Sequence, residues 1–202
     1  MNETLKRALS GAIYVAIMLF GTTYSTISFH SLFILILIVS IFEMWKLRKG
    51  KTKFLPFLYI LFPLTLIHNI NYNTVLYLFI LTWSFDTFAY LFGVKFGKHR
   101  IMENISPKKS WEGFAGGFVS TIIVSYISIN YFELFNSISN PLIISLFLPF
   151  TATLGDFIES HYKRGAGVKD SGKFIPGHGG MLDRIDAFMI TIPIIYLIIK
   201  FL

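Results

Sequence analysis

Seven mostly apolar stretches, residues 8–27, 29–47, 54–70, 73–94, 113–132, 140–158 and 185–202, follow one another along the chain with polar joins between them. A helix rises about 1.5 Å per residue, so about 20 apolar residues are needed to cross the hydrocarbon core of a bilayer. A water-exposed globular surface needs about 25% charged residues. This chain has 14%, against 54% hydrophobic. The expected fold is therefore all-α: a polytopic integral membrane protein of about seven transmembrane helices, forming a single domain over residues 1–202.

The basic residues supply a separate test. They fall at 6–7, 46–53, 95–109 and 163–184, with Lys200 alone at the far end, while the connections near 22–30, 70–73 and 132–140 have none. In a seven-helix arrangement 17 of the 18 Lys and Arg residues lie on one side. The positive-inside bias makes that side the cytoplasm, with the N-terminus inside. The same bias accounts for the excess of bases over acids without nucleic-acid binding. The opening MNETLKRALSGAIYVAIMLFG has the basic start of a signal peptide but no small-residue cleavage site, and reads as a retained first helix. With no cysteine, disulfides, thiolate metal sites and cysteine nucleophiles are excluded. Two cytoplasmic loops, 95–112 and 159–184, are long and charged, and any chemistry is expected there.

Asp86 lies well inside the fourth apolar stretch. A carboxylate at that depth is unfavourable by about 2.5–3.5 kcal/mol unless a cavity or partner receives it. It faces either a polar active-site cavity, with Tyr90 one turn along, or an interhelical hydrogen bond. Asp156, Glu159, Ser160 and Lys163 share a helical face where the sixth stretch leaves the membrane; a solvated end with a Glu159–Lys163 ion pair is the plainer reading. Asp183 and Asp186 share a face at the start of the last stretch. Clustered carboxylates beside Lys163, Arg164, Lys169, Lys173 and Arg184 suit a hard cation together with a polyphosphate, the acids holding one and the bases the other. Neutralisation within a loop is the alternative. Six glycines between Gly165 and Gly180, Gly179 among them, give backbone N–H groups room to approach phosphate. His178 is a proton shuttle, a phosphate donor or a hydrogen-bonded structural residue. Lys108 and Lys109 sit at a loop–helix junction, to bind phosphate or to anchor at lipid headgroups beside Trp111.

These residues carry a resemblance. The stretch SHYKRGAGVKDSGKFIPGHGGMLDRID, Ser160 to Asp186, resembles the signature of the phosphatidate cytidylyltransferases, or CDP-diacylglycerol synthases: Ser-x-x-Lys-Arg, four residues, Lys-Asp, a spacer, then Pro-x-His-Gly-Gly-x-x-Asp-Arg-x-Asp. DTFAYLFGVKFGK at 86–98 and SPKKSWEGFAGG at 106–117 are similar to further family segments, so the resemblance covers 86–186. Tyr162 stands where an aliphatic residue or Phe is usual, and Ser110 where Thr is common. The chain looks shorter than typical members, through missing N-terminal membrane helices.

The resemblance implies an enzyme of the cell (inner) membrane, with its site facing the cytoplasm, that transfers a cytidylyl group from CTP to phosphatidic acid with Mg2+. It implies Asp156 and Asp183 as metal ligands, with Asp170 and Asp186 as second choices. Lys163, Arg164, Lys169, Lys173 and Arg184 would hold phosphates. Asp86, Ser106, Lys108, Lys109, Ser160, His178, Gly179 and Gly180 would line the substrate site, with Asp86 either a wall of it or a seat for a second cation. Membrane lipids are expected around it, and a homodimer is one assembly it allows. The alternatives are a CTP-dependent lipid kinase of the polyprenol type and, from another class, a transporter using Asp86 and the loop acids as an ion path.

Overall fold

Small polar residues cut the apolar runs into helices. Ser25 and Ser28 form a reciprocal capping box, with the Ser28 N–H donating to Ser25 Oγ at 3.0 Å. The Asn71 side chain accepts from the Asn73 N–H at 2.8 Å, and Ser110 Oγ from the Gly113 N–H at 3.1 Å. Each satisfies a donor that a helix start leaves unpaired. The computed structural model describes residues 3–48, 54–132, 135, 138 and 140–201. Among these are seven α-helices: α1 (Glu3–Thr23), α2 (Thr26–Leu47), α3 (Leu55–Leu66), α4 (Tyr72–Phe96), α5 (Trp111–Tyr131), α6 (Pro141–Gly165) and α7 (Leu182–Phe201). Part of the basic run at 46–53, residues 49–53, lies outside the described residues.

The helices follow the seven apolar stretches, and four of them, α2, α4, α5 and α6, are long and apolar enough to cross a membrane. In α1 and α3 the apolar helices are shorter, Arg7–Thr23 and Leu55–Asn69. With its 3-10 extension Ile67–Asn69, α3 reaches only about 24 Å, against a hydrocarbon core of about 30 Å. α7 holds Asp183, Arg184, Asp186 and Lys200 within 20 residues. Two features depart from expectation. The 95–112 connection contains an antiparallel hairpin, β1 (Arg100–Met102) with β2 (Ser106–Ser110). And α6 continues to Gly165 rather than ending near 158.

Packing is closest where side chains are smallest. The buried face of α5 consists of Gly113, Gly116, Gly117, Ser120, Thr121, Ser125 and Ser128, recurring at three and four residues. Small residues let helices approach where lipid leaves little hydrophobic drive for association. Phe85 and Phe92 of α4 lie against Gly117 and Gly116, while Val119, Ile123 and Tyr126 are exposed on the opposite face. The first half of α4 is buried on all sides from Thr74 to Phe79, and α7 is apolar nearly all round, through Leu182, Ile185, Phe188, Ile192 and Ile195. These two helices form the centre of the core.

Seven helix ends converge at one end of the bundle, that of α3 through Tyr59, whose hydroxyl donates to the Gly155 carbonyl at 3.0 Å. Ser10 of α1 donates to the Pro176 carbonyl at 2.7 Å. Glu43 of α2 accepts from the Leu182 N–H at 2.9 Å. Lys109, between α4 and α5, forms an ion pair with Asp156 of α6. At the opposite end His30 and His68 meet, Nδ1 to Nδ1, at 2.7 Å. The packing generates a stability prediction. A Cβ on Gly117 would lie 2.7 Å from Phe85 Cδ2 and 2.8 Å from the Phe85 carbonyl oxygen. Gly117→Val is expected to destabilise the protein by about 1–3 kcal/mol in thermal unfolding in detergent, and Val119→Ala on the exposed face by less than about 0.5.

Candidate active site

The last turns of α6 carry Asp156, Glu159 and Lys163 at spacings of three and four, so all three face the same neighbour. That neighbour is the first turn of α7. Gly155 is what brings it near: any Cβ there would collide with the Asp186 carbonyl. The resulting approach brings one carboxylate oxygen each from Asp156, Glu159 and Asp186 within 4.8 Å of one another. Lys163 reaches inward to ion-pair with Glu159 and, at 2.7 Å, with Asp183. Lys109 arrives from β2 to pair with Asp156. Three of these four carboxylates thus share two ammonium groups, and among the described residues the fourth, Asp186, has no ion-pair partner. Glu159 is 0% exposed and Lys163 7%. The expected Glu159–Lys163 pair is present, but buried rather than solvated.

Asp183 organises the loop before α7. One oxygen accepts from Lys163; the other accepts from the Ser171 N–H at 2.9 Å, the Ser171 hydroxyl at 3.0 Å and the Gly180 N–H at 2.8 Å. The loop then turns tightly, with the Ile175 N–H donating to the Gly179 carbonyl at 2.9 Å. Gly177 and Gly179 have φ of 78° and 85°, the left-handed region that favours glycine. Arg184 folds back on this turn, its guanidinium donating to the His178 carbonyl at 2.6 and 3.1 Å.

Three cavities adjoin these groups. A basic one of about 500 Å³ is lined by Arg7, Lys169, Asp170, Lys173, His178 and Arg184. The next, about 340 Å³, shares His178 and Arg184 with it and adds Asp86, Asp183, Asp186 and Tyr14. A third, about 170 Å³, shares Asp86 and adds Tyr90, Lys108, Lys109 and Phe114. A line of space therefore runs from the glycine turn past the acids to the hairpin, with Asp86 as a wall of two cavities.

The structure gathers Asp86, Lys109, Asp156, Ser160, Lys163, His178, Asp183, Arg184 and Asp186 around one point. Ser160 donates to Asp156 at 3.4 Å. Lys169, Asp170, Lys173 and Lys108 stand exposed at cavity rims. Gly180 spends its N–H on Asp183, and Gly179 its carbonyl on Ile175. Arg164 turns outward to the Val168 carbonyl at 2.9 Å, and Ser106 pairs with Met102 at the turn end of the hairpin. Sequence reasoning missed Glu43, 4% exposed, which holds the loop from α2, and Ser171 beside it. It also missed Ser10, whose hydroxyl lies 3.0 Å from His178 Nδ1, and Glu112, whose carboxylate accepts from the Lys98 and His99 N–H groups and so fixes the hairpin base. The depth test that singles out Asp86 would have found Glu43, a carboxylate in the apolar stretch 29–47.

Removing a partner from a buried ion pair leaves an uncompensated charge. Lys163→Met is therefore expected to destabilise the protein by about 3–5 kcal/mol in detergent unfolding, and adding Glu159→Gln to recover part of that loss.

The sequence model described as "Cytidylyltransferase family" matches residues 54–202. Among similar curated proteins is a phosphatidate cytidylyltransferase of Thermotoga maritima, 47% identical over 129 residues, covering 60% of this chain and 47% of that protein. A phosphatidate cytidylyltransferase of Staphylococcus aureus is 45% identical over 126 residues, covering 62% and 48%, and one of Staphylococcus haemolyticus is 42% identical over 125 residues, with the same coverage. The chain spans about half the length of the curated relatives it matches. The family match extends over well more than half of this chain and includes both long charged loops, and the chain belongs to the cytidylyltransferase family.

Proposed function

We propose that the protein transfers a cytidylyl group from CTP to phosphatidic acid, forming CDP-diacylglycerol and pyrophosphate, at the cytoplasmic face of the cell membrane. The observation that carries this reading is the placement of four carboxylates and two lysines at one end of an apolar bundle, directly beside a basic cavity. A lipid phosphate held at the membrane boundary and a nucleotide arriving from water can meet only at such a place. The names of the relatives support the same substrates.

The residues present fit a divalent cation. Asp156, Glu159 and Asp186 offer hard oxygen ligands, the acids exceed the bases by two, and Glu159 Oε1 is buried with no hydrogen-bond donor among the described residues. Mg2+ bound there would neutralise charge on the reacting phosphates. Asp156, Glu159 and Asp186 would hold it; Asp183, which the resemblance implies as a ligand beside Asp156, instead spends one oxygen on Lys163 and the other on Ser171 and Gly180, and keeps that lysine and the loop in place beside them. In the reaction a phosphatidate oxygen bonds to the α-phosphorus of CTP, and the bond from that phosphorus to the β-phosphate oxygen breaks. The phosphate is already ionised, so no strong general base is required. The protein's task is to position two polyanions and offset their repulsion. Lys169, Lys173, Arg184 and Arg7 line the space suited to the triphosphate, and Lys108 and Lys109 approach from the hairpin side. We place the N-terminus and both charged loops in the cytoplasm, with all seven helices buried in the bilayer.

The purified protein with Mg2+, labelled CTP and phosphatidic acid is expected to yield lipid-soluble label and pyrophosphate in equal amounts; release of CDP instead would replace this reading by γ-phosphoryl transfer. Asp156→Asn and Asp186→Asn are each expected to leave a membrane-inserted protein with activity reduced by at least about 100-fold, as loss of transition-state charge stabilisation implies, and Asp183→Asn to lose activity by displacing Lys163 and the loop it holds. Because the chain has no cysteine, single substitutions report orientation cleanly. Lys173→Cys is expected to react with a membrane-impermeant thiol reagent only from the cytoplasmic side, and Asn71→Cys only from the opposite side.

A further inference from the structure

α7 begins without a cap of its own. The first N–H groups of a helix need acceptors, and Met181, the residue before the helix, has no side chain that can supply one. The acceptor comes from α2. Glu43 Oε1 accepts from the Met181 N–H at 3.0 Å and Oε2 from the Leu182 N–H at 2.9 Å, and the Ser171 hydroxyl, whose one proton is divided between Oε2 and Asp183, lies 3.0 Å from Oε2. The carboxylate also sits where the positive end of the α7 dipole favours an anion. The surrounding sequence is shaped to admit it: a Cβ at either Gly172 or Gly180 would overlap the Glu43 carboxylate. Ser171 joins this contact to the next, since its hydroxyl lies 3.0 Å from both Glu43 Oε2 and Asp183 Oδ2.

The turn that Glu43 holds is the one bearing Asp183 and Asp186. Successive residues on an α-helix are about 100° apart, so a start slipped by one residue would carry Asp186 away from Asp156 and Glu159. We propose that Glu43 is a positioning residue: by capping α7 from α2, and through Ser171, it sets the direction in which Asp186 and Asp183 project and thereby the affinity of the carboxylate cluster for a divalent cation. The proposal rests on the cation site advanced above. It adds that the site depends on a helix lying outside residues 54–202, the part of the chain that the family match covers.

The test is Mn2+ binding to the detergent-solubilised full chain, read by electron paramagnetic resonance, together with the Mg2+ dependence of turnover. Glu43→Gln keeps the shape but turns an amide donor toward N–H donors. It is expected to weaken Mn2+ binding by at least about 10-fold, the usual effect of losing a group that orients metal ligands. The Mg2+ concentration for half-maximal activity should rise in parallel, while kcat at saturating Mg2+ falls much less. Ser171→Ala, which keeps both backbone contacts to Glu43, is expected to show a smaller shift of the same sign. Wild-type Mn2+ affinity in Glu43→Gln would overturn the proposal even if its thermal stability were lowered. Should Glu43→Gln not accumulate as folded protein, unchanged Mn2+ affinity in Ser171→Ala would overturn it instead. Absence of Mn2+ binding by the unaltered protein would reject the cation site, and this role with it; normal binding in the variants would reject the role of Glu43 alone.

Discussion

Lys163 lies between Glu159 and Asp183 where little water reaches, and the arrangement of three chain segments follows from that contact. A carboxylate buried alone is strongly disfavoured, whereas one close to an ammonium and to hydrogen-bond donors is tolerated. Glu159 and Lys163 belong to α6 and Asp183 to α7, so the shared ammonium ties the two helices at the point where Gly155 lets their backbones meet. The second oxygen of Asp183 then gathers Ser171 and Gly180, and the glycine-rich turn is held from beneath. One lysine cannot neutralise every acid there. The residual negative charge is what distinguishes this end of the bundle from an ordinary interhelical ion pair.

Helix number, the approximate helix bounds and the charged end of the bundle were legible because they rest on local properties: apolar length, capping residues and the distribution of Lys and Arg. Asp86 and Asp156 were legible for a related reason, since a carboxylate at or inside a membrane boundary stands out against its neighbours. The pairing of charges was not. Spacing put Lys163 on one helical face and Asp183 on another, and only the packing of α6 on α7 reveals that they satisfy each other. Lys163 therefore points inward, while Lys169 and Lys173, equally basic in sequence, remain in solvent. Glu43 stands out by depth as Asp86 does, but its role was not legible, because two of its partners are backbone N–H groups more than 130 residues away, and no motif encodes a backbone donor. The hairpin escaped because five residues of β2 with two lysines and a proline have little strand character; Glu112, binding the chain at Lys98 and His99, holds it in place instead.

The bundle divides its labour along the length of α4. Its first half is enclosed and apolar, joined to α5 by Tyr77, whose hydroxyl lies 2.7 Å from Ser125 Oγ. Its second half exposes Phe88, Tyr90, Leu91 and Phe96. Asp86 falls at the change between the two. A polar group there borders enclosed protein on one side and an exposed apolar surface on the other.

The contacts of Glu43 also carry a consequence in time. Met181 and Leu182 lie 138 and 139 residues beyond it, so two of its three partners are absent until the start of α7 is made. At roughly 5–20 residues per second, that interval is about 7–28 s of synthesis. During it α2 carries an uncapped carboxylate, and α6, when it emerges, carries acids without the first turn of α7 to complete them. The start of α7 closes a contact that α2 offers from early in synthesis, so a precursor cut before Met181 lacks Asp183 and Asp186 and with them the groups that complete the carboxylate cluster.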